Sequence, residues 1–243
     1  WLKKKFVVAT NYCITLDRIP ENYYPEIAAN KEQLEEWKEL FKIHEQKGDL
    51  LTVVYSEPLT IDFLKSQPYL VLDTKFFSQD FKDNLLAEFD YLDKQINGVL
   101  INSENFQANN LLYTKYQNKI DDIYIDPPYN TNASKILYKN DYEHSSWCSL
   151  MENRIKNGRL LLKDSGVMQI AIDDAEFHRL EAITRQVFSN DNYISNIAIM
   201  HNPKGRDQSH VAVSHEYTLI AAKDKSKLKL NRLLLSESDL INK

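Results

Sequence analysis

The chain has 243 residues, 43% of them hydrophobic, which excludes a disordered chain and allows one large domain or a domain with an appendage. Its longest apolar runs, such as Val99 to Ile101 and Ile197 to Met200, are far too short to cross a bilayer, and no N-terminal leader pattern stands out; a soluble, cytoplasmic protein without a membrane partner is expected. The net charge of -5 excludes a uniformly basic surface, but residues 31–94 hold 14 acids against 8 Lys and Arg, whereas residues 201–232 hold 7 Lys and Arg against 3 acids, and a polyanion responds to the local footprint.

In chain order, residues 1–96 read as an accessory region. Phe6 to Leu16 alternates loosely as a strand. Asn30 then caps a helix with Gln33 at the capping-box position, and Leu34, Trp37, Leu40 and Phe41 fall on one face. After the apolar Tyr69 to Leu72, a short helix carries Phe81, Leu85, Leu86 and Phe89. From 97 to 243, strand and helix alternate, the pattern of an α/β domain with a parallel sheet under helices. Val99 to Ile101 is predicted as a strand and Ser103 to Tyr116 as a helix, followed by an apolar strand ending at Ile125. A helix from about Ser146 carries Trp147, Leu150, Met151, Arg154 and Ile155. Ser165-Gly166 turns into the strand Val167 to Ile172, and a helix with Leu180, Ile183 and Val187 follows. Two further strands, Ile194 to Met200 and Glu216 to Ala222, flank a long basic loop. Cys13 and Cys148 lack metal-ligand neighbours and read as free thiols, with no metal expected.

The most informative residues are Asp126-Pro127-Pro128-Tyr129, closing the run Ile123-Tyr124-Ile125. Asp and Pro also suit a plain polar turn. At the carboxyl end of a strand in an open α/β sheet, however, the four residues stand where ligands bind. The chemistry they suit is methylation of an exocyclic amino group on a nucleic-acid base. That nitrogen is a poor nucleophile because its lone pair is delocalised into the ring, and two fixed acceptors on its hydrogens favour a pyramidal, reactive geometry. Asp126 offers a carboxylate, the Pro-Pro segment a backbone carbonyl aimed by restricted φ angles, and Tyr129 a flat face for a base rotated out of the duplex.

Several ordered blocks then resemble one family: Ile123 to Thr131, His144 to Trp147, Ser165 to Asp174 and Asn202 to Lys223, with Tyr55 to Thr60 and Tyr69 to Phe77 upstream. Together they resemble the permuted (beta) class of amino-methylating DNA methyltransferases, and in particular the modification subunits of type III restriction systems. The resemblance implies a partial Rossmann-like methyltransferase sheet, the catalytic half, with helices on both faces and an N-terminal accessory region. It implies transfer of a methyl group from S-adenosylmethionine to N6 of a flipped adenine in double-stranded DNA. Asp126 and the Pro127 carbonyl would hold the amino group, Tyr129 would stack on the base, and Pro128 completes the catalytic turn. Glu104 and Asn105, with Asp126, would line the cofactor, although an acid in the first turn of a helix also suits the dipole. Asn130, Lys204, Arg206 and Ser209 would contact DNA. A homodimer and a helicase-nuclease restriction subunit are the partners the resemblance implies.

One departure stands out. The family holds its cofactor with a glycine-rich turn, and the five glycines here, Gly48, Gly98, Gly158, Gly166 and Gly205, include no such pair. The resemblance places that turn downstream, beyond a target-recognition region, so the sequence reads as the catalytic half of a longer enzyme, binding cofactor weakly by itself. Cytosine N4 or a protein amide nitrogen remain alternative acceptors, the latter usually served by Asn in place of Asp126. A non-catalytic assembly or DNA-binding fragment, with residues 1–96 docking a partner, is the alternative outside catalysis.

Overall fold

The computed structural model describes residues 9–45, 53–131, 143–200 and 214–231. Internal contacts divide the chain into two units, residues 1–99 and 100–243. No helix among the described residues is long and apolar enough to cross a membrane.

The first unit runs β1 (Cys13–Thr15), α1 (Tyr24–Ala29), α2 (Lys31–Phe41), α3 (Ile61–Ser66), β2 (Val71–Asp73), α4 (Gln79–Ala87) and α5 (Leu92–Gln95). β1 and β2 pair antiparallel. The expected strand over Phe6 to Leu16 is thus only Cys13–Thr15, and residues 1–8 lie outside the described set. Asn30 caps α2 as its sequence predicts, its Oδ1 accepting from the Gln33 amide at 2.9 Å. The Gln33 side chain does not close the capping box; its Oε1 accepts from the Asp73 amide at 2.7 Å, tying α2 to β2. Trp37 makes a parallel tie, its indole N–H donating to the Val71 carbonyl at 2.6 Å. Leu34 and Trp37 are buried but Leu40 and Phe41 are exposed, because α2 ends there with Lys42 left-handed. Ser78 and Thr60 cap α4 and α3. Phe63, Leu64, Phe81 and Leu85 complete a core with Leu16, Ile27 and Trp37.

The second unit runs α6 (Asn105–Tyr116), β3 (Ile120–Ile125), α7 (Glu143–Leu161), β4 (Leu162–Ile172), α8 (Phe177–Phe188), β5 (Tyr193–Met200) and β6 (His215–Ala222). The strands form one sheet in the order β3-β4-β6-β5. β3 and β4 are parallel, joined through α7. β6 is antiparallel to both β4 and β5, so the sheet is mixed where the alternation predicted a parallel one. No helix among the described residues separates β5 from β6, and parallel pairing needs such a crossover. The predicted strand Val99 to Ile101 does not form: Leu100 is 99% exposed, and a short extended segment with no strand beside it has nothing to satisfy its amides. α6 forms as predicted, yet none of its residues is buried, and Phe106 and Leu111 stay exposed.

One face of the sheet carries the core. Ile123 and Ile125 on β3 lie beside Met168 and Ile170 on β4, which lie beside Ala221 and Leu219 on β6. Trp147, Met151 and Ile155 of α7 and Leu180, Ile183 and Phe188 of α8 pack on these residues. The two helices therefore share that face, and the register holds the carboxyl ends of β3 and β4 beside the start of β6.

Gly166 lies inside β4 rather than in the turn expected before it, at an irregularity in the β3–β4 register. A Cβ there would stand 2.8 Å from the Ile120 carbonyl oxygen and 3.0 Å from those of Asp121 and Lys163. Backbone atoms cannot step aside cheaply, so Gly166→Ala is expected to destabilise this unit by about 1–3 kcal/mol, read as a lower urea midpoint at unchanged slope.

Candidate active site

The carboxyl end of β3 leads directly into Asp126-Pro127-Pro128-Tyr129, and the side chain of Asp126 is exposed. Three other segments arrive at the same end of the sheet: Asp173 to Glu176 after β4, the first turn of α7, and His215 to Tyr217 opening β6. Open α/β sheets place their ligands at this end of the sheet.

Trp147 decides which carbonyl of the Pro-Pro segment is available. Fully buried, it donates its indole N–H to the Pro128 oxygen at 2.8 Å. The Pro128 carbonyl is committed to the fold; the resemblance implies the carbonyl of Pro127, next to the Asp126 carboxylate, as the backbone acceptor. The proline rings fix φ on both sides of it.

Tyr129 is half-buried against the core cluster beneath the turn. Its hydroxyl shares a single proton between the Asp126 carboxylate and Glu216 Oε2, the latter at 3.5 Å. Burial first, then Asp126 and the Glu216 charge, push it far above the usual phenol range, so it remains a donor. An ionised carboxylate has about four acceptor sites, which leaves Asp126 room for a second donor beside Tyr129.

Asn130, expected to meet DNA, is turned inward instead. It is 6% exposed, in the left-handed region at φ 61, and donates its amide to Glu176 Oε1 at 2.6 Å. Glu104 and Asn105 are likewise occupied. Glu104 caps α6 by accepting from the Phe106 amide at 2.9 Å and pairs with Arg154 at 2.7 Å. Its slight burial pushes the carboxyl up, but the Phe106 amide and the Arg154 charge outweigh this and hold it below the usual range. Asn105 accepts from Asn109 at 3.0 Å. These contacts give both residues a part in holding α6. Lys204, Arg206 and Ser209 lie outside the described residues.

Two carboxylates escaped the sequence reading. Glu216 faces Tyr129 from β6, and Glu176, fully buried, is held by Asn130, His144 and Arg179. His144 is thereby engaged by a carboxylate, and His215 bonds the Tyr217 hydroxyl at 2.8 Å. Among the described residues no group of three or more His, Cys, Asp and Glu side chains could hold a metal.

Comparison with known proteins turns this geometry into an assignment. Residues 120–240 match the family described as DNA methylase. The chain carries a DNA methylase domain. It is 34% identical over 136 residues to the type II methyltransferase M.KpnI of Klebsiella pneumoniae, covering 50% of this chain and 32% of that protein. It is 28% identical over 178 residues to the Mod subunit of the type III restriction-modification enzyme EcoPI of Escherichia phage P1, covering 60% of this chain and 28% of that protein. The matches thus span about a third or less of these relatives' length. Among solved structures, the M1.HpyAVI–SAM complex is similar at a TM-score of 0.39 and 19% identity, covering 56% of this chain and 60% of that one. The methylase domain contains β3, the acidic turn after β4 and the Asp126 turn itself.

Proposed function

We propose that the methylase domain is the catalytic part of an enzyme that methylates N6 of an adenine rotated out of double-stranded DNA, as the modification component of a restriction-modification system. The observation carrying this reading is the exposed Asp126 carboxylate at the end of β3, beside a Pro-Pro segment in which Trp147 occupies one carbonyl and leaves the other. M.KpnI and the EcoPI Mod subunit, named as a methyltransferase and as a subunit of a restriction-modification enzyme, support it. On the same grounds the full-length protein is proposed to work with a restriction subunit.

In this account Asp126 accepts one amino hydrogen and the Pro127 carbonyl the other. Held this way, the nitrogen directs its lone pair out of the ring plane, a geometry stabilised only as the new bond forms. S-adenosylmethionine supplies, when bound, an electrophilic methyl carbon on a sulfonium sulfur. Asp126 fits beside it, while Glu104 and Asn105 are spent on α6 and Arg154. The methylated amino group carries a surplus proton and is strongly acidic, so it loses that proton without a dedicated histidine base. Asp in the first motif position is the basis for choosing adenine over cytosine.

The test is to incubate full-length protein with duplex DNA and S-adenosylmethionine, digest to nucleosides and weigh them. N6-methyladenine is expected. N4-methylcytosine alone would overturn the choice of base, and no methylated nucleoside would overturn the activity.

A further inference from the structure

Glu176 has no exposed surface, yet it caps nothing in its own helix, although it stands at the N-cap of α8. Its Oε1 accepts from Asn130 Nδ2 at 2.6 Å and contacts His144 Nδ1 at 2.5 Å, and its Oε2 accepts from Arg179 Nη1 at 3.1 Å. The three partners sit on three segments: the residue following Tyr129, the first turn of α7, and α8. A carboxylate withdrawn from water persists only when paired and hydrogen-bonded, and these partners meet that requirement.

What the arrangement secures is Asn130. Its backbone is left-handed at φ 61, its side chain is 6% exposed, and its buried Oδ1 finds no hydrogen-bond partner among the described residues. Both features cost free energy, and the bond to Glu176 offsets them. Released from that bond, Asn130 would relax towards a negative φ and rotate the peptide planes before it, which include those of Pro128 and Tyr129. Another hold on the turn is the indole of Trp147 on the Pro128 carbonyl. The turn is therefore held by a hydrogen bond between neutral groups at Pro128 and by one to a buried carboxylate at Asn130.

We infer that Glu176 is a positioning residue for methyl transfer: acting through Asn130, it fixes the turn so that the Asp126 carboxylate and the Pro127 carbonyl face the target amino group together. His144 and Arg179 contribute donors that make a buried carboxylate tolerable there. This rests on the active-site reading of the turn. It predicts a loss in the chemical step with binding retained, since Glu176 is fully buried and offers no surface to DNA or cofactor.

The experiment uses the full-length enzyme, single-turnover kinetics, and a duplex with 2-aminopurine at the target base to report flipping. Glu176→Gln keeps the volume but presents an amide N–H₂ to donors that need an acceptor. Its kcat is expected to fall on the order of 10- to 100-fold, with unchanged KM for DNA and S-adenosylmethionine and an unchanged fluorescence rise. Asn130→Ala should show the same pattern, and the two losses should not multiply when combined. A wild-type rate in Glu176→Gln, losses that multiply in full, or a rise in KM in place of a fall in kcat would each overturn the inference. If Glu176→Gln does not fold, Asn130→Ala alone decides, a wild-type kcat overturning it. A wild-type enzyme that methylates nothing overturns the active-site reading, and this inference falls with it.

Discussion

Replacing Asp126 by Ala in the full-length protein is expected to lower the methylation rate by about 100- to 1,000-fold while DNA affinity stays as it was. The magnitude follows from removing one preorganised group that acts where charge develops in the transition state. The separation of effects follows from position. Asp126 is exposed at the end of β3, and the folded partner it would lose, the Tyr129 hydroxyl, keeps Glu216 as an acceptor. Stability should change little. Asp126→Asn should fall between wild type and Ala, because its amide oxygen can still accept one hydrogen bond but carries no full charge to match the nitrogen's growing positive character. Single-turnover methylation and filter binding on the same preparations provide the two readings.

The second large effect is expected at Trp147. Truncation to Ala empties the largest fully buried side chain of the second unit and should cost about 3–5 kcal/mol, measured from the urea transition of that unit. Trp147→Phe separates the two functions of the residue. It retains most of the packing but removes the N–H held at 2.8 Å from the Pro128 carbonyl, a loss of about 1 kcal/mol. Freed, that carbonyl lets the turn move, and the rate should fall roughly tenfold or more at unchanged DNA affinity.

Those residues also mark what the amino-acid order does and does not reveal. The strand ending in Asp126 was legible because a short apolar run meets two prolines, and both α7 and α8 were legible from helical spacing, Trp147, Met151 and Ile155 all proving buried. The direction of β6 was not. Its apolar pattern is the same in either orientation, and only pairing with β4 and β5 fixes it. Val99 to Ile101 shows the reverse problem, since an apolar run becomes a strand only where another strand lies beside it. Glu104 drew attention through the family resemblance, and in the structure it caps α6 and pairs with Arg154.

Glu176 was hidden for a different reason. It is one of 35 acidic residues, its spacing from Asn130 follows no helical or strand period, and its meaning lies in a contact made across 46 positions. Asn130 misled in the same way. Directly after an active turn it suggests an outward contact, whereas its left-handed backbone and buried amide turn it towards Glu176. Local chemistry could single out the Asp126 turn; only the folded chain could show the contacts around it.

The most direct test is a structure of the full-length protein with a target duplex and a non-reactive analogue of S-adenosylmethionine. The account predicts a base rotated out of the helix, its exocyclic nitrogen about 3 Å from both an Asp126 carboxylate oxygen and the Pro127 carbonyl oxygen. A base left stacked in the duplex, or an amino group bonded elsewhere while Asp126 faces only solvent and Tyr129, would contradict it.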